Sequence, residues 1–362
     1  MNNAVPKSFS IPLVILAAAV ILGGPACSRR QPVGYALAIG LNQVDPNHYG
    51  GWSGNLTGCE PDAEDMRDIA QSRGLTTTTL KTGDATRKAV LDHLDDMAAV
   101  MSRGDLLVVS FSGHGGQVPD GNGDESDDGL DETWCLYDGQ LLDDELHGAW
   151  MKFRPGVRIL LFSDSCHSGT VLKMLRMDFE SPKRIEDFES RWRQRRQLLT
   201  VNRESIRSVV ESHPELLSRI PSASPGIERS DDPSEEGKAP PMVYACRAAP
   251  PVVLVQTYMQ NKSFYRDLGA SAPREDNSPL KASVILISGC EDDQSSADLG
   301  FNGLFTWTLK QVMEEGDYAD YYGFHRRIRN RVLDRNSGQC PNLYPIGRRV
   351  EEFLAEMPYT LH

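Results

Sequence analysis

The 362-residue chain lacks several features that would define a function at once. No two cysteines have the CxxC spacing, and no cysteine–histidine group has the spacing of a structural zinc site. Basic residues are not in excess: the net charge is −13, which argues against a nucleic-acid partner. Internal repeats are absent. Because hydrophobic residues make up 40% and charged residues 25%, the composition predicts an ordinary globular protein.

The chain also lacks an apolar run long enough for a comfortable membrane-spanning helix. The run at 11–24 is short, follows Lys7 and precedes Cys27, an order typical of a secretory signal peptide. Residues 1–27 are therefore predicted to be a signal peptide and the protein to be exported, whether periplasmic, membrane-anchored or secreted. The residues before Cys27 resemble a degenerate bacterial lipobox. A lipid anchor at Cys27, plain secretion and an uncleaved anchor all remain open.

Short apolar runs alternate with amphipathic stretches through much of the chain, which predicts an α/β fold with a mostly parallel sheet. One domain is expected over 28–362, interrupted by a charged and flexible insertion at about 172–245. A further strand is predicted at 252–258. Five cysteines with irregular spacing are expected to be free thiols, with disulfides as the alternative: Cys59, Cys135, Cys246, Cys290 and Cys340. The other predicted strands are 33–42, 75–80, 105–112, 159–162 and 282–289, and the predicted helices are 61–70, 86–101, 303–314 and 318–334.

Two of the predicted strands end in motifs that suit nucleophilic catalysis. The strand at 159–162 runs into Asp164-Ser-Cys-His-Ser-Gly169, and the strand at 105–112 ends in the glycine-flanked His114. Ligands bind outside the carboxyl ends of parallel strands, so Cys166 and His114 are expected to meet there as nucleophile and base. Their separation of about fifty residues is typical of caspase-type cysteine proteases. His167 is a rival base, but neighbours at a sharp turn generally point apart.

The two motifs, Phe111-Ser-Gly-His-Gly-Gly116 and Asp164-Ser-Cys-His-Ser-Gly169, resemble those of the metacaspases. The resemblance implies a caspase-hemoglobinase-like three-layer sandwich, a mostly parallel sheet flanked by helices. It also implies a His114–Cys166 dyad, with the amides of Gly115 and Cys166 as oxyanion donors. Carboxylates near this edge favour a cationic substrate side chain. The matching pocket residues, expected to bind Arg or Lys, are Cys59, Asp62, Ser112 and Asp164.

The acidic loop at 120–132 is similar to an EF-hand loop, but Glu125 occupies the position of the turn glycine. The metacaspase resemblance implies calcium ligands at Asp131, Asp143 and Asp144. A fourth ligand position holds Lys173, whose charge opposes metal binding. No cofactor is required for the chemistry itself, and calcium is expected at most as an activator. A plain solvated loop is the alternative.

The insertion contains basic residues at which an enzyme selecting Arg or Lys could cleave itself; a solvated helix face is the alternative. The prediction is an exported cysteine endopeptidase acting on polypeptides after Arg or Lys, through a thioester intermediate. A catalytically idle caspase-fold binding protein and an α/β cysteine amidase acting on a small substrate are the alternatives. The basic residues of the insertion are Arg176, Lys183, Arg184, Arg191, Arg193, Arg195 and Arg196.

Overall fold

The computed structural model describes residues 30–125, 129–166, 245–274, 280–291, 294 and 296–361. The predicted signal peptide with Cys27, and the insertion with His167, Lys173 and its basic residues, lie outside these ranges. Residues 32–362 form one compact unit. No helix in the described ranges combines the length and apolarity that a membrane crossing requires.

Strands and helices alternate along the described chain, as the apolar pattern predicts. The first half contains β1 Gly34–Gly40, α1 Cys59–Ser72, β2 Thr76–Lys81, α2 Arg87–Val100, β3 Leu106–Ser112, β4 Gly115–Pro119, β5 Leu130–Leu136, β6 Gly139–Leu142, α3 Asp143–Met151 and β7 Arg158–Asp164. The second half contains β8 Ala245–Cys246, α4 Pro251–Gln260, α5 Lys262–Ser271, β9 Ser283–Ser288, β10 Ala297–Asp298, α6 Leu304–Glu315, α7 Tyr321–Arg335, β11 Asn342–Gly347 and α8 Val350–Leu354.

A six-stranded sheet with the order β11-β9-β7-β3-β1-β2 forms the middle layer. All neighbours pair in parallel except β11, which is antiparallel to β9 at one edge. Successive residues of each strand face opposite sides of a sheet, so a strand covered on both faces is apolar throughout. In β7, Leu160 and Phe162 pack in the core beneath α1, α6 and α7, whereas Ile159 and Leu161 pack in the core beneath α2 and α3. The predicted three-layer caspase-like fold is confirmed.

Two smaller sheets, which the sequence pattern did not predict, lie beside the main one. Strands β4, β5 and β6 form an antiparallel sheet, and β8 and β10 form an antiparallel pair of two residues each. Strand β4 begins directly after the His114 turn. The small sheets therefore adjoin the edge where functional side chains are expected.

The strand predicted at 252–258 is wrong, because these residues form helix α4. Pro251 stands at the first turn of this helix, where its missing N–H costs nothing and its fixed φ suits the helix. The branched residues Val253, Leu254 and Val255 are buried in a separate apolar cluster. A short apolar run fits a buried helix as well as a strand, and the preceding prolines decide between them.

The six cysteines within the described ranges are all free, which agrees with the predicted free thiols. Cys166, Cys246, Cys290 and Ala248 form a small cluster. Three thiols therefore lie together at the end of β7.

Candidate active site

The register of the sheet brings the two catalytic motifs together. Ser112, the last residue of β3, lies opposite Asp164, the last residue of β7. His114 and Cys166 each follow two residues later, so both leave the same carboxyl edge. The backbones are so close that a Cβ on Gly115 would lie 2.1 Å from the carbonyl oxygen of Cys166, which only glycine avoids. The backbones of the two motifs therefore adjoin at this edge of the sheet.

The imidazole of His114 is buried and oriented by a backbone carbonyl. Its Nε2 lies 3.0 Å from the carbonyl oxygen of Gly54. A carbonyl can only accept a hydrogen bond, so Nε2 carries the proton and Nδ1 of the neutral ring holds the lone pair. The ring of Trp52 packs against the imidazole with centroids 4.7 Å apart. Gly54 has φ +58°, a left-handed conformation that favours glycine, and it acts through its carbonyl, so no side-chain pattern revealed it.

The thiol of Cys166 is fully buried at the end of β7. Its Sγ accepts a hydrogen bond from the amide of Ser296 at 2.5 Å. Burial raises the pKa of the Cys166 thiol well above its usual value, although the Ser296 amide acts in the opposite direction. In this environment the thiol stays protonated, so deprotonation requires a base at the site.

Two backbone amides beside Cys166 converge on one oxygen. The amide nitrogens of Gly115 and Cys166 lie 2.9 Å and 3.4 Å from the carbonyl oxygen of Arg247. These are the two predicted oxyanion donors. A pair of N–H groups that already share a carbonyl oxygen has the geometry needed to stabilise negative charge on it.

The predicted pocket residues surround the guanidinium of Arg247. Asp62 and Asp164 approach it at 2.8 Å and 3.0 Å, and the hydroxyl of Ser112 lies 2.9 Å from Nη1. Asp298, which the sequence did not reveal, approaches at 3.5 Å. Burial alone would lower the pKa of Arg247, but the carboxylates raise it well above its usual value. In this structure the pocket therefore holds a cation, the guanidinium of Arg247.

Other contacts fix the pocket carboxylates in place. Asp62 accepts hydrogen bonds from the Gly303 amide at 3.0 Å and from Asn302 Nδ2 at 2.7 Å. Asp164 accepts hydrogen bonds from the Thr306 amide and hydroxyl at 3.0 Å and 2.7 Å. Burial raises the pKa of Asp62 to about 7, although Arg247 acts in the opposite direction. These donors come from the start of α6, so the second half of the chain completes the pocket.

The predicted Cys59 lies at the first residue of α1 and is fully buried. Burial raises the pKa of its thiol well above its usual value, with Arg247 and a hydrogen bond to Ser112 acting in the opposite direction. Its amide donates to Asn42 Oδ1 at 3.0 Å. Cys59 therefore belongs to the pocket as an uncharged thiol near the guanidinium of Arg247.

The strand β10 lines the cleft and is held by Gln339. The side chain of Gln339 accepts from the Ala297 amide at 3.1 Å and donates to the Ser296 hydroxyl at 2.8 Å. Gln339 is fully buried, and it follows α7 in the chain. It thus connects the C-terminal region to the cleft wall.

The acidic loop forms two carboxylate clusters rather than one. Asp131 is fully buried, and neither of its carboxylate oxygens has a hydrogen-bond partner among the described residues. Oxygens of Asp120 and Asp124 lie within 4.8 Å of it. Burial, followed by the charges of neighbouring carboxylates, raises the pKa of Asp131 to about 8.

The other two predicted calcium ligands lie apart from this cluster. Asp143 groups with Glu125 and Glu132, again within 4.8 Å. Asp144 accepts a hydrogen bond from Asn122 Nδ2 at 2.6 Å. The buried carboxylate of Asp131, grouped with the carboxylates of Asp120 and Asp124, offers the oxygen ligands that calcium prefers.

The sequence of this chain is similar to those of known proteins. The family model described as "Caspase domain" matches residues 33–349. The chain belongs to the caspase-domain peptidases. Its similarity to metacaspase-1 of Meyerozyma guilliermondii is 25% identity over 341 residues, covering 88% of this chain and 70% of that protein. The predicted family and a cysteine-type peptidase are confirmed.

Two further relatives of this caspase-domain peptidase cover different shares of the chain. Metacaspase-1 of Emericella nidulans is 36% identical over 154 residues, 38% of this chain and 36% of that protein. The crystal structure of protein GSU0716 from Geobacter sulfurreducens has a TM-score of 0.66 and 39% identity, covering 91% of this chain and 99% of that one.

Proposed function

We propose that this caspase-domain peptidase is an endopeptidase that cleaves after arginine or lysine through a dyad of His114 and Cys166. One observation carries the proposal: a guanidinium lies among three buried carboxylates, and one of them, Asp164, precedes the nucleophile by two residues. Burying a charge is costly unless it is paired, so this pocket selects a cationic side chain and disfavours an acidic one. Planar arginine matches paired carboxylates better than lysine does, so arginine is the preferred residue.

The mechanism follows from the hydrogen bonds of the dyad. The Gly54 carbonyl holds the proton on Nε2 of His114, so Nδ1 takes the proton of the Cys166 thiol. The thiolate attacks the carbonyl carbon of the substrate, and the amides of Gly115 and Cys166 stabilise the oxyanion. One such donor is typically worth a factor of about 10² to 10³ in rate. His114 then protonates the leaving amine, and water hydrolyses the thioester to regenerate the thiol.

The cleft supports a polypeptide rather than a small amide as substrate. Strand β10 pairs antiparallel with the two-residue strand β8 and lies beside the pocket. An extended peptide binds such an edge through main-chain hydrogen bonds. A small-molecule amidase would not need this strand edge to bind its substrate. A catalytically idle binding protein would not need His114 held in one tautomer at the sheet edge that also carries the thiol of Cys166.

Calcium is proposed as an activator held at the acidic loop. Asp131, with Asp120 and Asp124, would provide oxygen ligands. The predicted Asp143 belongs to the second carboxylate cluster, and the predicted Asp144 acts on Asp131 through its charge. Bound calcium would supply positive charge that offsets the repulsion among these carboxylates. The loop precedes β5, whose Trp134 pairs with Gly115. A calcium ion held by Asp131, which is part of β5, would therefore steady an oxyanion donor.

Export, lipidation of Cys27 and self-cleavage within the insertion belong to the same proposal, but their residues lie outside the described ranges. The short apolar run and Cys27 support export. Intact-mass measurement of the mature N-terminus separates a signal-peptidase cut from a lipidated cysteine. The basic residues from Arg176 to Arg196 support self-cleavage, and identical gel patterns for the wild type and Cys166→Ala would contradict it.

A fluorogenic peptide assay tests the main proposal. Peptides ending in Arg, Lys or Asp before the reporter are incubated with the purified protein, with calcium and then with chelator. We expect turnover of the Arg peptide, slower turnover of the Lys peptide, none of the Asp peptide, and none by Cys166→Ala. Turnover of the Asp peptide, or equal turnover by Cys166→Ala, would refute the proposal.

A further inference from the structure

The amino edge of the main sheet, opposite the edge that carries the catalytic motifs, has a row of exposed basic side chains. Strands β1, β2, β3, β7 and β9 begin at this edge, and the antiparallel β11 ends there. At five of these strand ends, an exposed basic residue lies within four residues of the end. These residues, which we call the basic edge, are Arg73 before β2, Arg103 before β3, Arg154 before β7, Lys281 before β9 and Arg348 after β11.

The basic edge extends across the whole width of the sheet. Neighbouring strands lie about 4.8 Å apart, so the six strands from β11 to β2 span about 24 Å. The chain has a net charge of −13, so positive charge along one edge does not follow from its average composition. No member of the basic edge forms an ion pair with another residue in the described ranges. Their charges are therefore available to a partner of opposite sign.

Two exposed apolar side chains lie at the same edge. Val100 ends α2 and is 52% exposed, and Arg154 donates to the carbonyl of the neighbouring Ala99 at 2.9 Å. Met357 is 49% exposed. Its carbonyl accepts from the amide of Thr360, whose own carbonyl accepts from the first residue of β7. Basic and exposed apolar side chains together are typical of a surface that lies on a lipid bilayer.

Helix dipoles account for only part of this arrangement. Arg73, Arg103 and Arg154 closely follow the C-terminal ends of α1, α2 and α3, where positive charge is favourable without any partner. Lys281 and Arg348 directly precede and follow strands, and no helix end adjoins them in the sequence. A helix dipole also gives no reason to expose apolar side chains beside these cations. An external partner explains both observations.

Acidic residues next to these strand ends are engaged within the fold. Asp105 is fully buried and accepts hydrogen bonds from backbone amides. Glu356 pairs with the buried Arg158. Glu352 pairs with Arg349 and not with a member of the basic edge. The basic edge therefore keeps its positive charge although carboxylates lie nearby.

We infer that the basic edge, with Val100 and Met357, is a docking surface for an anionic lipid bilayer. Guanidinium and ammonium groups donate charge-assisted hydrogen bonds to headgroup phosphates, and each basic residue near such a surface raises affinity by about five-fold. The two apolar side chains enter the boundary between headgroups and acyl chains. The inference goes beyond the proposed peptidase activity and does not depend on its specificity.

This docking surface sets the orientation of the active site. The catalytic motifs leave the opposite edge of the sheet, so they face away from the bilayer and stay open to polypeptides in solution. The described compact unit enters the basic edge at Val33, six residues after Cys27 in the sequence. Six residues span at most about 20 Å. The lipid proposed for Cys27 would therefore hold this same edge to the same bilayer.

Vesicle co-sedimentation tests the inference. The purified full chain is mixed with vesicles of phosphatidylcholine alone, or with about 30% phosphatidylglycerol added. The neutral vesicles measure any binding by the apolar run at 11–24, which is independent of lipid charge. We expect affinity for the anionic vesicles to be about 100-fold higher at low salt, and to approach the neutral value near 0.5 M salt, where charges are screened. Equal affinity for the two vesicle types at low salt would overturn the inference.

Two triple variants with the same change in charge identify the surface. The first carries Arg73→Gln, Arg103→Gln and Lys281→Gln, and its affinity for anionic vesicles should fall by about 100-fold. The matched control carries Lys88→Gln, Lys262→Gln and Arg266→Gln, three exposed cations of α2 and α5, and should bind like the wild type. Both variants should keep the wild-type melting temperature. Equal losses in the two variants would show that only net charge matters and would overturn the assignment of this edge.

The apolar contact is tested at high salt, where the charges contribute little. Val100→Ser with Met357→Ser should lower the remaining affinity for anionic vesicles by about ten-fold. Met259→Ser, at an exposed position on α4, is the control and should have no effect. An equal loss in Met259→Ser would overturn the apolar part of the docking surface.

Soluble polyglutamate distinguishes a bilayer from an acidic polypeptide as the partner. At equal concentration of negative charge, it should displace little of the wild type from anionic vesicles, because it offers no apolar boundary. Complete displacement would assign the basic edge to acidic polypeptides and overturn the inference. Vesicle binding is measured without a peptide substrate, so absence of peptide turnover would refute the proposed function and leave this result unchanged.

Discussion

Nε2 of His114 lies 3.0 Å from the carbonyl oxygen of Gly54, so the proposed base is oriented by main chain rather than by a third side chain. The loop that carries Gly54 follows β1, and three of its glycines have positive φ: Gly50, Gly51 and Gly54. The position of the base therefore depends on backbone conformation at a distance of sixty residues along the chain.

Replacing Gly54 tests this orientation. In Gly54→Ala a left-handed φ becomes strained, and the new Cβ would lie 3.1 Å from His114 Cδ2. We expect kcat to fall by about ten-fold or more with little change in KM, because the tautomer and direction of the base are disturbed. Gly51→Ala is the control: its φ is also positive, but nothing lies near its Cβ. Equal losses in both variants would mean that loop strain alone is responsible.

The second prediction concerns Gly303, which forms part of the wall of the cation-binding pocket. A Cβ on Gly303 would lie 2.2 Å from Asp164 Oδ2 and 2.3 Å from Arg247 Nη1, whereas its amide would still donate to Asp62. Gly303→Ala should therefore lower kcat/KM for Arg peptides by about 10² while leaving the thiol alkylable. Gly83→Ala, at an open surface position, should behave like the wild type in the same assay. Unchanged Arg-peptide turnover in Gly303→Ala would contradict the assigned pocket.

The pocket should bind cations more tightly at higher pH. Burial raises the pKa of Asp62 to about 7 with the guanidinium present, and Arg247 lowers that pKa, so the empty pocket has a higher one. A ligand that binds the ionised form gains affinity between the bound and free pKa values. The inhibition constant of benzamidine, measured with an Arg peptide as substrate, should therefore decrease as pH rises above about 7.

The matched variant for this titration is Asp62→Asn. Its inhibition by benzamidine should be weaker and nearly independent of pH over the same interval. A flat profile in the wild type would show that Asp62 does not titrate in the binding step.

Replacing the buried carboxylate of Asp131 should have two distinct effects: one on the melting temperature in chelator and one on the change in melting temperature that calcium causes. Asp131→Asn keeps the shape of the side chain but abolishes repulsion with Asp120, Asp124 and Asp144. In chelator we expect its melting temperature to exceed that of the wild type by a few degrees, since about 1 kcal/mol shifts a protein of this size by about that much. Calcium should raise the melting temperature of the wild type but not of the variant. The exposed Asp84→Asn should keep the calcium response, and a full response in Asp131→Asn would exclude this site.

The sequence predicted the parts of the site that follow continuous strands. The strands β3 and β7 are apolar throughout because both faces are covered, and each ends in a small polar motif, so His114 and Cys166 could be located. Asp62, Ser112 and Asp164 followed from the same edge and from the resemblance. The described structure brings Asp62, Ser112 and Asp164 together around the guanidinium of Arg247.

Asp298 and Arg247 could not be found in this way. Asp298 lies in a two-residue strand and Arg247 directly follows another, both too short for an alternating pattern, and their ion pair forms only through the fold. The prediction of a strand at 252–258 is wrong because the short branched run from Val252 to Val255 suits both a strand and a helix. Residues in short or irregular segments are specified by contacts distant in sequence, which local patterns do not contain.

The three carboxylates around Arg247 come from α1, the end of β7 and β10, and the last lies more than two hundred residues after the first. A nascent chain that ends before Asp298 lacks one carboxylate of this cation-binding pocket, even after its nucleophile has been synthesised. Proteolytic competence therefore begins only when the C-terminal third has joined the sheet.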